Sequence, residues 1–323
     1  MTRRVALGIL GLTALLALLW LGGEDALDSL VSADAVYVGL AFATTLGLTT
    51  VSSWRWALLT GLFGGRESGS FFPYYRSFIL SRAAGLFVPQ GASDFGLRPL
   101  IHRASAGGTV SSSLGGVTVE RIADATLVFA TGVPASLYVL GQLGDAAHWG
   151  LLTLALVSWT LCFAFLGRRV LLWLARTAES FDGGTDDRNW TGPRAGRLFV
   201  RLASSLTEAA KNETALRRAA GLSALRYLLI ALQFTLVARA LGLEGLSMIQ
   251  VVAALPMAQL GAMVAITPGG IGFVEGGFFG GLELMDVPGN SVTAFLVGQR
   301  VLINVFILAL AAVALASTFR GRE

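Results

Sequence analysis

The chain has 323 residues, 54% hydrophobic and only 14% charged, with 24 Lys+Arg against 20 Asp+Glu. Soluble domains carry roughly 25% charged residues, so a water-facing globule is excluded, and so is a disordered chain, which needs more charge and more Pro. A single cysteine (Cys162) excludes a disulfide framework, and two histidines (His102 and His148) argue against a His-rich metal site, so we expect one integral membrane domain over 1–323 with no metal and no cofactor.

An apolar run of about 20 residues crosses a bilayer as a helix. Residues 5–21 form such a run behind Arg3 and Arg4, and the Gly-Gly-Glu-Asp after it lacks a small-x-small cleavage pattern, so we expect a retained helix rather than a signal peptide. Residues 35–59 come next. Residues 71–105 are apolar but interrupted by Pro and Gly. Residues 109–140 and 151–166 are further spans. Residues 168–218 are polar, with ten basic and six acidic side chains; we expect a solvated loop with an interfacial helix around 196–210. Attraction to anionic headgroups is the weaker reading of that loop, because acids are mixed among its bases. Residues 219–241 form a span, 246–284 are again interrupted, and 292–317 form the last span.

Arg and Lys mark cytoplasmic loops. Arg3, Arg4, Arg320, Arg322 and the 168–218 segment are basic, whereas 22–34 holds Glu24, Asp25, Asp28 and Asp34 with no base. The turns at Asp145, Glu244 and Asp286 also lack bases. Both termini are expected in the cytoplasm, at a plasma membrane. The positive net charge of +4 is then a topology signal, not a sign of nucleic-acid binding.

The two interrupted stretches resemble each other. One holds Val-Pro-Gln-Gly at 88–91, the other Thr-Pro-Gly-Gly at 267–270, and each proline (Pro89, Pro268) precedes an arginine in the next apolar helix (Arg121, Arg300) by 32 residues. Pro removes a donor and Gly relaxes the backbone, so both stretches break as helices. Freed backbone groups at membrane depth survive only inside protein or beside water, which points to re-entrant hairpins. The charges bring the first in from the cytoplasm and the second from outside. We therefore expect an all-α integral membrane protein: six transmembrane helices plus two re-entrant helical hairpins in an inverted-repeat arrangement. Repeat 1 covers about 1–145 and repeat 2 about 146–323, with an insertion at about 167–218. Inverted repeats with broken helices are typical of secondary transporters; packing alone is the plainer alternative.

These residues also carry a family resemblance. Pro89 and Gly91, then Asp94, Arg98, Glu120, Arg121 and Asp124 resemble the first signature of the lysylphosphatidylglycerol synthase transmembrane region, also called the flippase-like domain. Pro268, Gly269, Gly270, Gly272 and Glu275, with Arg300 in the next helix, resemble the second. The resemblance implies a lipid-moving membrane domain. In that family it is often fused to a soluble aminoacyl-transfer domain; here we expect the membrane part alone. Pro99 biases Arg98 away from helical geometry, so an in-helix Asp94–Arg98 pair is not expected.

Charges at the bilayer centre cost at least about 2.5–3.5 kcal/mol each on insertion scales, so each needs a partner or a task. Arg121 and Asp124 are i,i+3 neighbours able to pair, which gives a structural reading. In the functional reading Arg121 and Arg300 approach from opposite repeats and grip a lipid phosphate, while Glu120 and Glu275 modulate the charge. Arg98 and Arg103, with His102 between them, either capture a headgroup at the cytoplasmic side or simply mark that side. Arg55, between Trp54 and Trp56, is expected to be an interfacial anchor, and His102 and His148 to be interfacial. Arg82, inside the first limb of a hairpin, has no such explanation.

No zinc motif, Walker loop, nucleophile elbow or Asp-rich diphosphate motif occurs. The favoured function is therefore a non-enzymatic lipid transporter moving an anionic phospholipid or lipid-linked phosphate between leaflets. The alternatives are a lipid-holding or docking partner of a separate synthase or glycosyltransferase, and an intramembrane transferase.

Overall fold

The computed structural model describes residues 28–63, 70–106, 109–180, 207 and 210–320. The span expected at 5–21 and almost all of the interfacial helix expected around 196–210 lie outside the described residues. Elsewhere, each long apolar run becomes a helix, and several open on a recognisable cap. In α1 (Ala35–Gly61) the Asp34 carboxylate accepts from the amides of Val36 (2.7 Å) and Tyr37 (3.3 Å). α2 (Phe72–Ala84) starts with Pro73 in its first turn, where the missing N–H has no helical partner to lose. A tight turn then leads to α3 (Gln90–Ala92), a π-helical turn (Ser93–Leu97) and α4 (Arg98–Ala106). Thr109 caps α5 (Val110–Val139), and α6 (Asp145–Ser180) follows. Asn212 caps α7 (Glu213–Ala240), and a Ser247–Gln250 capping box opens α8 (Met248–Val264). α9 (Phe273–Glu283) and α10 (Gly289–Arg320) complete the described chain.

Five of these helices, α1, α5, α6, α7 and α10, are long and apolar enough to cross a membrane. Their outer faces agree with that setting. Phe129, Val133, Leu154, Trp173 and Val313 are exposed, an apolar exterior that water would penalise and lipid does not. Hydroxyls within α1 are satisfied internally: Thr44, Thr45, Thr49 and Ser53 each donate to a carbonyl one turn back. At 36 residues α6 is about 54 Å long at 1.5 Å per residue, more than a 30 Å hydrocarbon core requires, so it projects beyond it.

The interior is shared between the two halves. α1 packs on α7, α2 on α10, and α8 on α5, so each broken segment leans on the last long helix of the opposite half. The main core joins Leu127, Tyr227, Leu255, Phe278 and Phe295, with Phe278 and Phe295 meeting edge-to-face at 5.3 Å. A second cluster places Ile79 against Ile307 and Leu310.

Both interrupted stretches fold back on themselves. In the first, Tyr74 meets His102 and Arg76 donates to Ser105, while Ser93 donates to the Ser81 carbonyl near the tip, so the limbs run antiparallel. In the second, the Cα atoms of Gly261, Gly277 and Gly281 lie so close to Phe273, Met257 and Ala254 that a side chain at any of them would collide with the other limb. The two tips meet. Pro89 and Pro268 form an isolated antiparallel bridge, and the Gly269 amide donates to the Gly85 carbonyl at 2.9 Å.

Candidate functional site

Where the tips meet, charges from several helices converge. The centre of the first cluster is one face of α5. Glu120 accepts from Arg55 (2.8 Å) and from Arg98 (2.6 Å), and Asp124 accepts from Arg55 (2.6 Å) and Arg226 (3.3 Å). Asp94 accepts from Arg98 and, at 2.6 Å, from Arg121. The Arg121–Asp124 pair anticipated from the i,i+3 spacing exists at 3.8 Å, but Asp94 is the closer partner. Every carboxylate here serves at least two guanidinium groups, which offsets the desolvation of burying them.

Arg55 corrects an expectation. It is no interfacial anchor: it is 1% exposed and spends its guanidinium on Glu120, Asp124 and the Ser223 hydroxyl (2.9 Å). The flanking tryptophans are a misleading signal because they point in different directions, Trp54 outward at 59% exposure and Trp56 fully buried. The Asp94–Arg98 pair is a second correction. The wide π turn over Ser93–Leu97 accommodates Pro99 and leaves Arg98 helical (φ −58°, ψ −49°), so the i,i+4 pair forms. Arg98 is buried under the rings of Trp56 and Phe78, whereas Arg103 is exposed. His102 and His148 are buried inside the protein too; His102 packs on Trp56 and Tyr74, and His148 Nδ1 bonds the Pro134 carbonyl (3.2 Å).

The second cluster is smaller. Arg300 Nε donates to Glu275 at 2.6 Å and Nη1 donates to the Gly269 carbonyl at 2.8 Å, while the other Glu275 oxygen accepts the Gly272 amide (2.8 Å). One carboxylate therefore caps α9 and anchors Arg300 to the break. Gly269, Gly270 and Gly272 hold φ of 63°, 71° and 86°, a region where a Cβ is strained, which explains the Gly-rich tip. Gly91 differs: it lies inside helical α3 with open space around it, and the corresponding break is the turn before Pro89.

Between the clusters lies a cavity of about 180 Å³. Arg121, Asp124, Arg300, Gly269 and Asp94 line it. Arg98, Glu120 and Glu275 stand behind this lining and hold it in position. Two lining arginines, Arg82 on α2 and Arg226 on α7, have no counterpart in the signatures. The signal that finds them is available: each is a charge within an apolar segment. The remaining walls mix uncharged polar side chains such as Thr49, Gln233 and Asn304 with apolar ones such as Phe78, Ile230 and Phe234. Among the described residues no group of three or more His, Cys, Asp or Glu is placed to hold a metal ion.

Apolar spanning helices around a charge-lined cavity define a multi-pass membrane protein. Over residues 5–311 the chain matches the lysylphosphatidylglycerol synthase TM region, and it belongs to that family, which ties it to membrane lipid. No curated protein and no solved structure matches it.

Proposed function

We propose that the protein is a flippase-like lipid transporter of the plasma membrane that carries an anionic phospholipid or lipid-linked phosphate between leaflets. One observation carries this reading: arginines from both halves of the chain reach a single cavity at the point where two broken helices touch. Broken helices meeting near the midplane, one hairpin entering from each face, are how inverted-repeat transporters build a substrate site. A sixth span at 5–21, the sequence expectation, leaves both termini cytoplasmic. The lipid phosphate exchanges its water for guanidinium forks, and the apolar part of the wall strengthens each contact by excluding solvent. Asp94 and Asp124 hold the arginines when no lipid is present and yield them when one arrives. The role is carriage without catalysis.

Proteoliposomes containing fluorescent phosphatidylglycerol or phosphatidic acid test this, with an impermeant quencher reporting the outer leaflet. We expect exchange faster than in protein-free vesicles, and at least about tenfold slower exchange with Arg121→Lys, which keeps charge but loses the planar fork. Folded, inserted protein with no exchange above empty vesicles overturns transport; if it still binds lipid, a holding or docking role for a separate synthase or glycosyltransferase replaces it.

A further inference from the structure

The charges around the cavity do not balance. Six arginines take part: Arg55, Arg82, Arg98, Arg121, Arg226 and Arg300. Four carboxylates answer them: Asp94, Glu120, Asp124 and Glu275. Two positive charges are left over, one in each half of the chain. Arg82 is the clearest case, because among the described residues it makes no hydrogen bond or ion pair, and the acid within its electrostatic reach, Asp94, is already held by Arg98 and Arg121. Arg226 is the other: its one carboxylate, Asp124, lies closer to Arg55. Arg82 and Arg226 line the same cavity and repel each other.

Holding two surplus like charges half-buried side by side is costly, and a bound anion offsets that cost. An independent feature points to the same ligand. Gln259 also lines the cavity, and its buried Nε2 donor has no partner; nor has the buried Nε of Arg121. The space is short of donors' acceptors, not of donors. At about 180 Å³ it is also smaller than the roughly 300–1,000 Å³ that encloses a drug-sized ligand, so it suits a headgroup and not a whole lipid.

We propose that this cavity receives a terminal phosphate carrying two negative charges, a monoester or the end of a diphosphate, gripped between Arg82 and Arg226. The lipid source of that phosphate rests on the transport reading above; its charge rests on the imbalance. A phosphodiester headgroup supplies one charge and leaves a surplus of one. A monoester has its second pKa near about 6, so it becomes the matching dianion as pH rises through that value. The charged groups facing it are Arg82 and Asp94 of the first hairpin, Arg121 and Asp124 of α5, Arg226 of α7 and Arg300 of α10. No histidine lines the cavity, so the pH profile follows the ligand.

Equilibrium binding to the purified full chain in nanodiscs, with radiolabelled short-chain phosphatidic acid and phosphatidylglycerol at pH 5 and pH 8, tests the proposal. We expect phosphatidic acid to bind at least about tenfold more tightly at pH 8 than at pH 5, and phosphatidylglycerol to show no such change. Arg82→Gln should erase that gain without lowering the melting temperature, since no ion pair is broken, and Arg82→Lys should restore part of it. Identical pH profiles for the two lipids, or parental binding by Arg82→Gln, overturn the proposal. Should Arg82→Gln fail to fold, the parental pH profile alone decides. Inorganic phosphate competing as well as the lipid supports the dianion site but assigns it to a free anion. Binding that follows the dianion rule without leaflet exchange sinks transport and keeps the site; exchange without headgroup preference does the reverse.

Discussion

At the first hairpin the break is held by side chains: Asp94 on a π turn, clasped by Arg98 and Arg121, with Glu120, Asp124 and Arg55 behind. At the second it is held by backbone: three glycines at positive φ, limbs in direct contact through Gly261 and Gly277, and a single Arg300–Glu275 pair. Polar networks specify geometry through many partners and fail when one is removed. Glycine contacts specify it through lack of volume and fail when a methyl is added. Matched positions in a chain thus need not be built from matched chemistry.

The sharpest way to break this contrast is Arg55→Ala. It strips the closest cation from Asp124 and one of two from Glu120, so we expect about 3–5 kcal/mol lost, read by denaturant unfolding in mixed micelles. Parental stability in that variant would mean that charge does not hold the first hairpin. The mirror experiment is Gly277→Ala, whose methyl meets the backbone of Met257 and Ala258. Overpacking of this kind costs about 1–3 kcal/mol. Gly91→Ala, in open space within α3, should instead be neutral or up to about 1 kcal/mol stabilising, because Ala favours helix. Similar effects at both glycines would erase the distinction between tight and open positions. The smallest effect is expected at Arg217→Ala, which removes an exposed i,i+4 contact to Glu213 (3.3 Å) worth about 0.2–1 kcal/mol. A loss there as large as at Arg55 would show that burial is not what makes the first cluster matter.

Much of the fold is legible in the sequence because membrane helices announce themselves by length and hydropathy. Runs at 35–59, 109–140, 219–241 and 292–317 emerge as α1, α5, α7 and α10 with ends shifted by a few residues; the run at 151–166 sits inside a much longer α6. The two interruptions are legible as well, since Pro and Gly act locally. Partner choice is not. Nothing near Arg55 in sequence reveals that Glu120, Asp124 and Ser223 surround it, because those contacts exist only once α1, α5 and α7 pack. The π turn that rescues Asp94–Arg98 is similarly invisible to a rule about the residue before proline, which describes average backbones. Arg82 and Arg226 matter through a sum of charges that becomes countable only after the network is assembled.

The hydrogen bond from Gly269 to Gly85 has a consequence for biosynthesis. The ribosome delivers residue 85 long before residue 269, so the early half enters the bilayer with that carbonyl still without its amide. Arg55 likewise waits for Ser223, and Asp124 for Arg226. The half-chain is therefore an unfinished object whose tip is satisfied only by its sibling. Gene splitting between α6 and α7, within residues 181–206, should yield two fragments that are stable together and degraded apart.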